Sequence, residues 1–571
     1  MAALSPVARR DPSPPSAVWV VAGLLAFLLT QYAAAFSIPF INDDYVFLDK
    51  TRAAGFLDLW RFDSLTFHWY RPWSRELHYW TVQRLFGTDE VPFHVASLAL
   101  WLAVLTSFWA LARRLSGTGA AAVAVAGVAA MAAWGVPLLW VAGVQELWML
   151  LFTLLAVHAS LSGRRLLAAA ALVGGLLSKE TAAVIAPLTI ACAVMIEGRK
   201  PGPALRRALP LLVIVAVWAL VHPVLGGRLR HPFPEPLESA SAPGPMTLVR
   251  AALVSVNLDA LPRPEHGWGQ ALVPGVIGAL VLGVMVVIGA RRPAAPVGAP
   301  RARIGLGVLW ALIGWSPLLM PSLGWHAYYA LLGCFGVWLA LAPLVARRPA
   351  VATALVVALA CLRPARADTP SLDWGSEWYQ RRAAEFIVAM RGQLREAHPR
   401  LPRHARLFFV RVPSNVGFLA GDGPALRVWY RDPTLRAGYY SSYRPRDPGD
   451  PAGPDLFFRF DSTGGWVEVL PGAEDVARAR RANPRWEKDH VMLAATLARA
   501  GDWPRAAAEY AKLAAAVPAR FEYAFDAGVC FESLGDSTAA AEWYRRAAAL
   551  PGADAEARSS AERFAHLRGR R

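Results

Sequence analysis

Long apolar runs constrain this chain more than any other feature, because about 20 residues without charges are enough to cross a bilayer. The first run follows Arg9 and Arg10 and extends from Ala17 to about Phe36. It is longer than the apolar part of a usual signal peptide, so we interpret it as an uncleaved first transmembrane helix. Ten further runs lie near 91–112, 118–139, 141–161, 166–177, 181–196, 208–225, 271–290, 304–323, 327–346 and 349–362.

The composition agrees with a membrane protein. Of 571 residues, 55% are hydrophobic and 18% charged, and the mean hydropathy is +0.33, which does not fit a string of soluble domains. A disordered or fibrous main body is excluded on the same grounds. The sequence therefore predicts a polytopic α-helical membrane protein with about 11 transmembrane helices.

Short basic clusters predict the orientation of these spans. If Arg9 and Arg10 are cytoplasmic, alternation of sides places every later cluster on the cytoplasmic side as well, as the positive-inside rule requires. The clusters are Arg113/Arg114, Arg164/Arg165, Arg199/Lys200/Arg206/Arg207, Arg291/Arg292/Arg301/Arg303 and Arg347/Arg348. The net charge of +17 is thus explained largely by topology, and we expect no nucleic-acid partner. Runs 166–177 and 181–196 are short, and they form either two spans or a re-entrant hairpin.

The apolar runs and their alternating orientation predict three domains. Residues 1–364 form the transmembrane domain of an inner-membrane protein, with outer loops at about 37–90 and 227–270. Residues 365–480 form a periplasmic α/β or β-rich module, because short β-rich runs alternate with Pro, Gly and Asp turns. The predicted strands are Leu407 to Val412, Leu426 to Tyr430, Leu456 to Phe460 and Trp466 to Leu470.

Residues 481–571 contain an internal repeat. Gly501-Asp502 recurs as Gly535-Asp536, and Ala506 and Tyr510 recur as Ala540 and Tyr544, each 34 residues later. Thirty-four residues is the period of tetratricopeptide helical hairpins. Two units are below the usual minimum of three, so we expect the pair to pack on the preceding module or to bind a protein partner.

The first outer loop carries the polar residues that most resemble a site. Asp43 and Asp44 follow the first span directly, where they could act as a general base or metal ligand, or could simply cap a helix. Tyr70-Arg71-Pro72 lies further along, and an arginine fork suits a phosphate, although an interfacial aromatic belt with a snorkelling arginine explains the motif too.

Other polar residues lie at the same predicted side of the membrane. Lys179 and Glu180 separate the two short runs, and charges at membrane depth indicate function unless they form an internal salt bridge. His326 and Tyr329 stand at the outer mouth of the tenth span, which is also typical of an aromatic belt. Glu146 has no assigned role.

Together these features resemble the GT-C glycosyltransferases, most of all the protein O-mannosyltransferase-like branch with C-terminal tetratricopeptide repeats. The resemblance rests on Asp-Asp after the first span, Tyr-Arg-Pro, Ser-Lys-Glu, a Tyr-rich tenth span and the repeats, and it covers about 17–362 and 485–550. It implies a hexosyl- or mannosyltransferase-like enzyme that moves a sugar, with inversion, from a polyprenyl-phosphate carrier to a protein, glycan or lipid acceptor on the periplasmic face.

The resemblance also implies residue roles. Asp43 or Asp44 activates the acceptor, Arg71 and Lys179 hold the carrier phosphate, and the cavity is lined by Tyr70, Glu180, His326 and Tyr329. Several branches have Asp-Glu where this chain has Asp-Asp, so the choice of base stays open between the two carboxylates.

Two other functions compete with this interpretation, a non-enzymatic membrane scaffold carrying tetratricopeptide repeats and a transporter or flippase of a lipid-linked saccharide. A transporter usually carries polar residues near mid-span, whereas here they gather at the outer ends. A lipid donor requires no nucleotide cofactor, and the sequence has no Gly-rich phosphate loop. The carboxylate pair allows a divalent cation without requiring one.

The predicted topology can be tested directly. Reporter fusions after Arg348 and after Asp368 should report opposite sides of the membrane, because one span separates them. Reporters on the same side would contradict the assignment.

Overall fold

The computed structural model describes residues 17–63, 65–66, 69–223, 244–260, 268–291, 300–320, 325–371, 373–412, 423–462, 465–472 and 474–565. Much of the predicted second outer loop, 227–270, lies outside these ranges. Contacts within the chain define two units, Met1–Glu385 and Phe386–Arg571. The division into three domains at 364 and 480 stays a prediction.

The first unit is helical. Among the described residues, eight helices are long and apolar enough to cross a membrane. Its longer α-helices are α1 (Val18–Tyr32), α2 (Asp43–Arg52), α3 (His78–Phe86), α4 (Glu90–Ala129), α5 (Val144–Leu161), α6 (Arg165–Leu176), α7 (Ile185–Met195), α8 (Pro201–Val221), α9 (Pro245–Val254), α10 (Trp268–Ala290), α11 (Pro300–Trp315), α12 (Leu331–Val345), α13 (Pro349–Ala367) and the start of α14 (Glu377–Ala397). A short helix, Gly135–Leu139, lies between α4 and α5.

Helix α4 contains the predicted run 91–112 and the first part of the run 118–139, joined at a kink. Gly117 has φ 82° and ψ 171°, a conformation that a residue with a Cβ adopts at a cost, so the helix bends there without ending. With the arms of α4 counted separately, and with the shorter helices α6 and α7, the described helices account for all eleven predicted apolar runs. The polytopic helical class is therefore confirmed.

Helices α6 and α7 are connected by irregular backbone. Leu177–Lys179 is non-helical and a 3₁₀ turn, Glu180–Val184, leads into α7. The first outer loop docks on this connection, because the Trp73 amide donates to the Leu177 carbonyl at 3.1 Å. The Ser74 hydroxyl donates to the Ser178 carbonyl at 2.7 Å. Two segments far apart in sequence are thus held side by side.

The second unit begins within α14 and contains a four-stranded sheet. The strands are β1 (Arg406–Val410), β2 (Arg436–Tyr439), β3 (Asp455–Asp461) and β4 (Gly465–Glu468), in the order β2-β1-β3-β4. β1 pairs in parallel with β2 and β3, and β4 is antiparallel to β3. The α/β module is present.

One predicted strand is wrong. Leu426 to Tyr430 belongs to a helix, α15 (Pro424–Tyr430). Gly423 has a left-handed φ of 77°, and Pro424 occupies the first helical position, where its missing N–H costs nothing. The apolar run of β-favouring residues is too short for its periodicity to separate helix from strand.

After the sheet the chain is helical again, with α16 (Val476–Ala482), α17 (Trp486–Arg499), α18 (Trp503–Ala516), α19 (Phe521–Ser533), α20 (Ser537–Ala548) and α21 (Ala555–Arg563). The turns of the two repeats match, since Gly501 and Gly535 both have φ 78°. Their assignment to the tetratricopeptide family stays a prediction.

The sheet and the repeats share one hydrophobic core. Phe408, Tyr443 and Phe457 from the sheet region pack in the same cluster as Trp486 and Leu493 of α17. The cluster continues through α18 to Ala527 and Cys530 of α19. The first repeat therefore completes the fold of the α/β module.

Replacement of Trp486 by alanine should destabilise the whole second unit. The side chain is 2% exposed, and truncation of a buried tryptophan typically costs about 3–5 kcal/mol. Pulse proteolysis of the full chain in urea should show the sheet and the repeats losing protection together. Leu534→Ala, at a residue that is 41% exposed, is the matched control and should change stability by less than about 1 kcal/mol. Loss of protection in the repeats alone would contradict the shared core.

Candidate active site

The candidate site is organised by the short segment that precedes and opens α5. Val141–Gly143 forms a 3₁₀ turn, and Gln145 and Glu146 lie in the first turn of α5. This segment contacts three of the four residues predicted for catalysis or phosphate binding: Asp44, Arg71 and Lys179. Each of the three comes from a different part of the chain.

Asp44 is fully buried and accepts three hydrogen bonds. Its Oδ2 accepts from the Ile41 amide at 2.9 Å, and its Oδ1 accepts from the Tyr79 hydroxyl at 2.6 Å and the Ala142 amide at 2.8 Å. Burial raises the pKa of Asp44 to about 7, and these hydrogen bonds oppose the shift. Its oxygens are used to join the start of α2 to α3 and to the turn before α5.

Asp43 has a different environment although it is the next residue. Among the described residues, no hydrogen bond or ion pair engages its carboxylate. Burial raises its pKa to about 6, while the positive charges of Arg75 and Arg71 act in the opposite direction. A carboxylate that is unengaged and titrates near neutrality has the properties of a general base.

Arg71 is held by a bidentate ion pair. Its Nε lies 2.9 Å from each carboxylate oxygen of Glu180, and its Nη1 donates to Gln145 Oε1 at 2.8 Å. The guanidinium also stands 5.2 Å from the ring centroid of Trp69. Arg71 therefore connects the first outer loop, the α6–α7 connection and α5.

Lys179 pairs with Glu146, and both side chains are buried. The Lys179 ammonium also lies 4.3 Å from the ring centroid of Tyr329 and 5.5 Å from that of Tyr328. A narrow cavity adjoins the ammonium, and its lining includes Glu146, Thr181 and Tyr329. The predicted alternative of an internal salt bridge is thus present, with Glu146 rather than Glu180 as the partner of Lys179.

The remaining predicted residues lie around this cluster. His326 Nδ1 is 2.6 Å from Asp373 Oδ1, and its ring lies 5.1 Å from that of Tyr329. Tyr70 donates its hydroxyl to the Trp60 carbonyl at 3.0 Å and stacks on Phe62 at 4.2 Å. Tyr70 is therefore engaged in the packing of the loop.

Sequence reasoning gave no role to three side chains that complete the cluster. Glu146 neutralises Lys179, Gln145 binds Arg71, and Arg75 is buried in the loop, where it donates to the Thr66 carbonyl at 3.0 Å. The isolated charge of Glu146 in an apolar stretch was the available signal, because such a charge requires a partner. The sequence around Gln145 and Arg75 contains no comparable signal.

Within the described ranges, no three His, Cys, Asp or Glu side chains come together as potential metal ligands. The option of a divalent cation stays a prediction.

The comparisons with known proteins give two distant structural likenesses. No family model and no curated protein matches the sequence. Two solved structures match, ArnT from Cupriavidus metallidurans bound to undecaprenyl phosphate and the same protein in the apo state. Each is 16% identical and covers 78% of this chain and 94% of that chain, with TM-scores of 0.40 and 0.41 respectively.

Removal of one partner from the Lys179–Glu146 pair should be costly. Lys179→Met leaves a buried carboxylate without its counter-ion, which typically costs about 3–5 kcal/mol. The double variant Lys179→Met/Glu146→Gln should recover part of this loss, because it removes both charges. Thermal unfolding of the purified protein in detergent measures the effect.

Lys200→Met is the matched control, since Lys200 is exposed. It should leave the unfolding temperature nearly unchanged. Additive effects of the two substitutions in the double variant would show that the pair is not energetically coupled.

Proposed function

We propose that the chain is a membrane glycosyltransferase of the GT-C type that moves a sugar from a polyprenyl-phosphate carrier to an acceptor at the outer face, with inversion. The observation that carries the proposal is the convergence of Asp44, Arg71 and Lys179 on residues 142–146, beside the unengaged carboxylate of Asp43. Inverting transfer needs a base for the acceptor and cations for the leaving phosphate, and this arrangement supplies both.

Each of these residues then has a role in the transfer reaction. Asp43 accepts the proton of the acceptor nucleophile, which attacks the anomeric carbon as the bond to the carrier phosphate oxygen breaks. The polyprenyl phosphate leaves with the bonding electrons, and Lys179 and Arg71 stabilise its charge. Asp44 positions the start of α2 through its three hydrogen bonds, so we assign the base to Asp43.

The carrier phosphate must accept hydrogen bonds from cations that already form ion pairs with carboxylates. Arg71 uses three of its nitrogens on Glu180 and Gln145, whereas among the described residues Lys179 has one carboxylate partner, Glu146. An ammonium carries three donors, and the cavity beside it also contacts Tyr329. We therefore place the carrier phosphate at Lys179, with Arg71 acting through the electrostatic field.

The direction of the helices supports an outer location. α5 begins at Val144, with Glu146 in its first turn, and ends next to Arg164 and Arg165, and α6 returns from those arginines to Lys179. The cluster thus lies at the helix ends opposite to a basic cluster that is cytoplasmic by the positive-inside rule. We propose an inner-membrane protein with a cytoplasmic N-terminus and a periplasmic C-terminal unit.

Asp43→Asn should remove transfer while preserving the fold. Loss of a general base typically lowers the rate by about 10² to 10⁴. The assay measures release of polyprenyl phosphate from a panel of polyprenyl-phosphate hexoses, including the mannose compound, in membranes that contain the acceptors. Binding of undecaprenyl phosphate to the purified variant should be unchanged.

Asp44→Asn is the matched comparison. It replaces one carboxylate oxygen, which accepts hydrogen bonds, by an NH₂ group that faces hydrogen-bond donors. It should lower stability by about 1–3 kcal/mol. Full transfer by Asp43→Asn would reject the assignment of the base to Asp43, and a sugar lipid that crosses the membrane without cleavage would favour a transporter.

The pH dependence of transfer should report Asp43. The base is active without its proton, so with a pKa of about 6 the rate should rise with pH and be half-maximal near pH 6. Below that value it should fall about tenfold per pH unit. A rate that is constant from about pH 5 to about pH 7 would exclude a base with this pKa.

A further inference from the structure

The second unit contains an open cavity that the proposed reaction does not use. It has a volume of about 600 Å³ and lies where the end of α14 meets the end of α15. Its lining residues are Arg395, Pro399, Arg400, Leu401, Trp429, Tyr430 and Asp432. Pockets for small ligands usually have volumes of about 300–1,000 Å³ and combine apolar surface with a few polar groups, as this cavity does.

Two arginines supply hydrogen-bond donors to the cavity. Arg395 donates from Nη2 to the Trp429 carbonyl at 2.9 Å, and among the described residues no hydrogen bond engages its Nη1 or Nε. Within the described part of the chain, no hydrogen bond or ion pair engages the guanidinium of Arg400. Arginine forks bind carboxylates and phosphates through paired hydrogen bonds.

Asp432 supplies an acceptor. Its Oδ1 accepts from the Thr434 amide at 2.8 Å and from the Thr434 hydroxyl at 2.7 Å, and among the described residues no hydrogen bond engages Oδ2. Burial opposes ionisation, but the bonds from Thr434 together with the positive charge of Arg403 outweigh it, and the pKa of Asp432 is lowered. An ionised carboxylate only accepts hydrogen bonds, so a ligand must offer it a hydroxyl or an amine.

The apolar part of the lining is rigid. The Tyr430 hydroxyl lies 2.9 Å from the His398 carbonyl and 3.1 Å from the Leu394 carbonyl, which fixes the ring against the end of α14. Trp429 is buried in the same helix, and Pro399 and Leu401 complete the apolar lining. Aromatic and prolyl surfaces of this kind pack against the C–H face of a ring.

We propose that this cavity binds an acidic saccharide, a sugar that carries a carboxylate or phosphate. Its anionic group accepts hydrogen bonds from Arg395 and Arg400, its hydroxyls donate to Asp432, and its ring packs on the aromatic lining. The two arginines and one carboxylate leave a net positive charge, which matches an anionic ligand. The choice of a saccharide among hydroxylated anions rests on the proposed function, for which it identifies the acceptor as an acidic glycan.

Calorimetry on the full-length protein in detergent tests the proposal with a glucuronic acid-containing disaccharide and with cellobiose as its neutral counterpart. The acidic disaccharide should bind at least about tenfold more tightly, because hydrogen bonds between charged groups are worth more than neutral ones. Arg400→Ala and Asp432→Asn should each weaken its binding about tenfold or more. Arg478→Ala, at an exposed arginine outside the cavity, should have no effect.

Several results would overturn the proposal: equal binding of the two disaccharides, no binding of either, or unchanged affinity in both cavity variants. If inorganic phosphate binds as tightly as the acidic disaccharide, the cavity is a general anion site and not a saccharide site. If UMP binds more tightly than the disaccharide, the cavity is a nucleotide site. The Asp43→Asn variant should bind the acidic disaccharide normally. Its transfer activity therefore tests the proposed function independently of the cavity.

Discussion

Charges buried in an apolar protein must be neutralised by a nearby partner, and this constraint organises the whole first unit. An unpaired ion in a low-dielectric interior costs several kcal/mol, so each buried cation here meets a carboxylate. Glu180 neutralises Arg71, Glu146 neutralises Lys179, and Glu377 neutralises Arg363 at 3.2 Å. The pairs join segments separated by 109, 33 and 14 residues, and so determine which helix ends meet.

The same constraint gives two neighbouring carboxylates different chemistry. Asp44 lies where three donors reach it, so its oxygens are used in holding α2, α3 and the turn before α5 together. Asp43 is one residue earlier on the helix and points in another direction, where the described residues offer it no hydrogen bond. Position within a single helical turn thus separates a structural carboxylate from one that is available to react.

Much of the fold could be predicted from local patterns. The apolar runs predicted the helices, because length and composition alone decide whether a helix can cross a membrane. The 34-residue repeat predicted two matching hairpins with glycine in each turn. The short run Leu426 to Tyr430 was misassigned, since its helix depends on Gly423 and Pro424, which lie before the run.

The site was less predictable because its partners are remote in sequence. Asp43, Asp44, Arg71 and Lys179 stood out as charges beside apolar runs, and the structure brings Asp44, Arg71 and Lys179 to one segment. The pairing of Lys179 with Glu146 instead of Glu180 depends on how α5 packs against α6, which no local pattern contains. Gln145 and Arg75 look like ordinary residues until their partners are known.

The core shared by the sheet and the first repeat limits how this protein can change over evolutionary time. Repeat arrays usually gain and lose units by duplication and deletion, because each unit contacts only its neighbours. Here α17 and α18 contribute to the core of the sheet, whereas α20 and α21 pack largely in a smaller cluster around Ala547 and Ala557. Growth or shortening of the array is therefore tolerable only at its C-terminal end, and the first hairpin must be inherited together with the sheet.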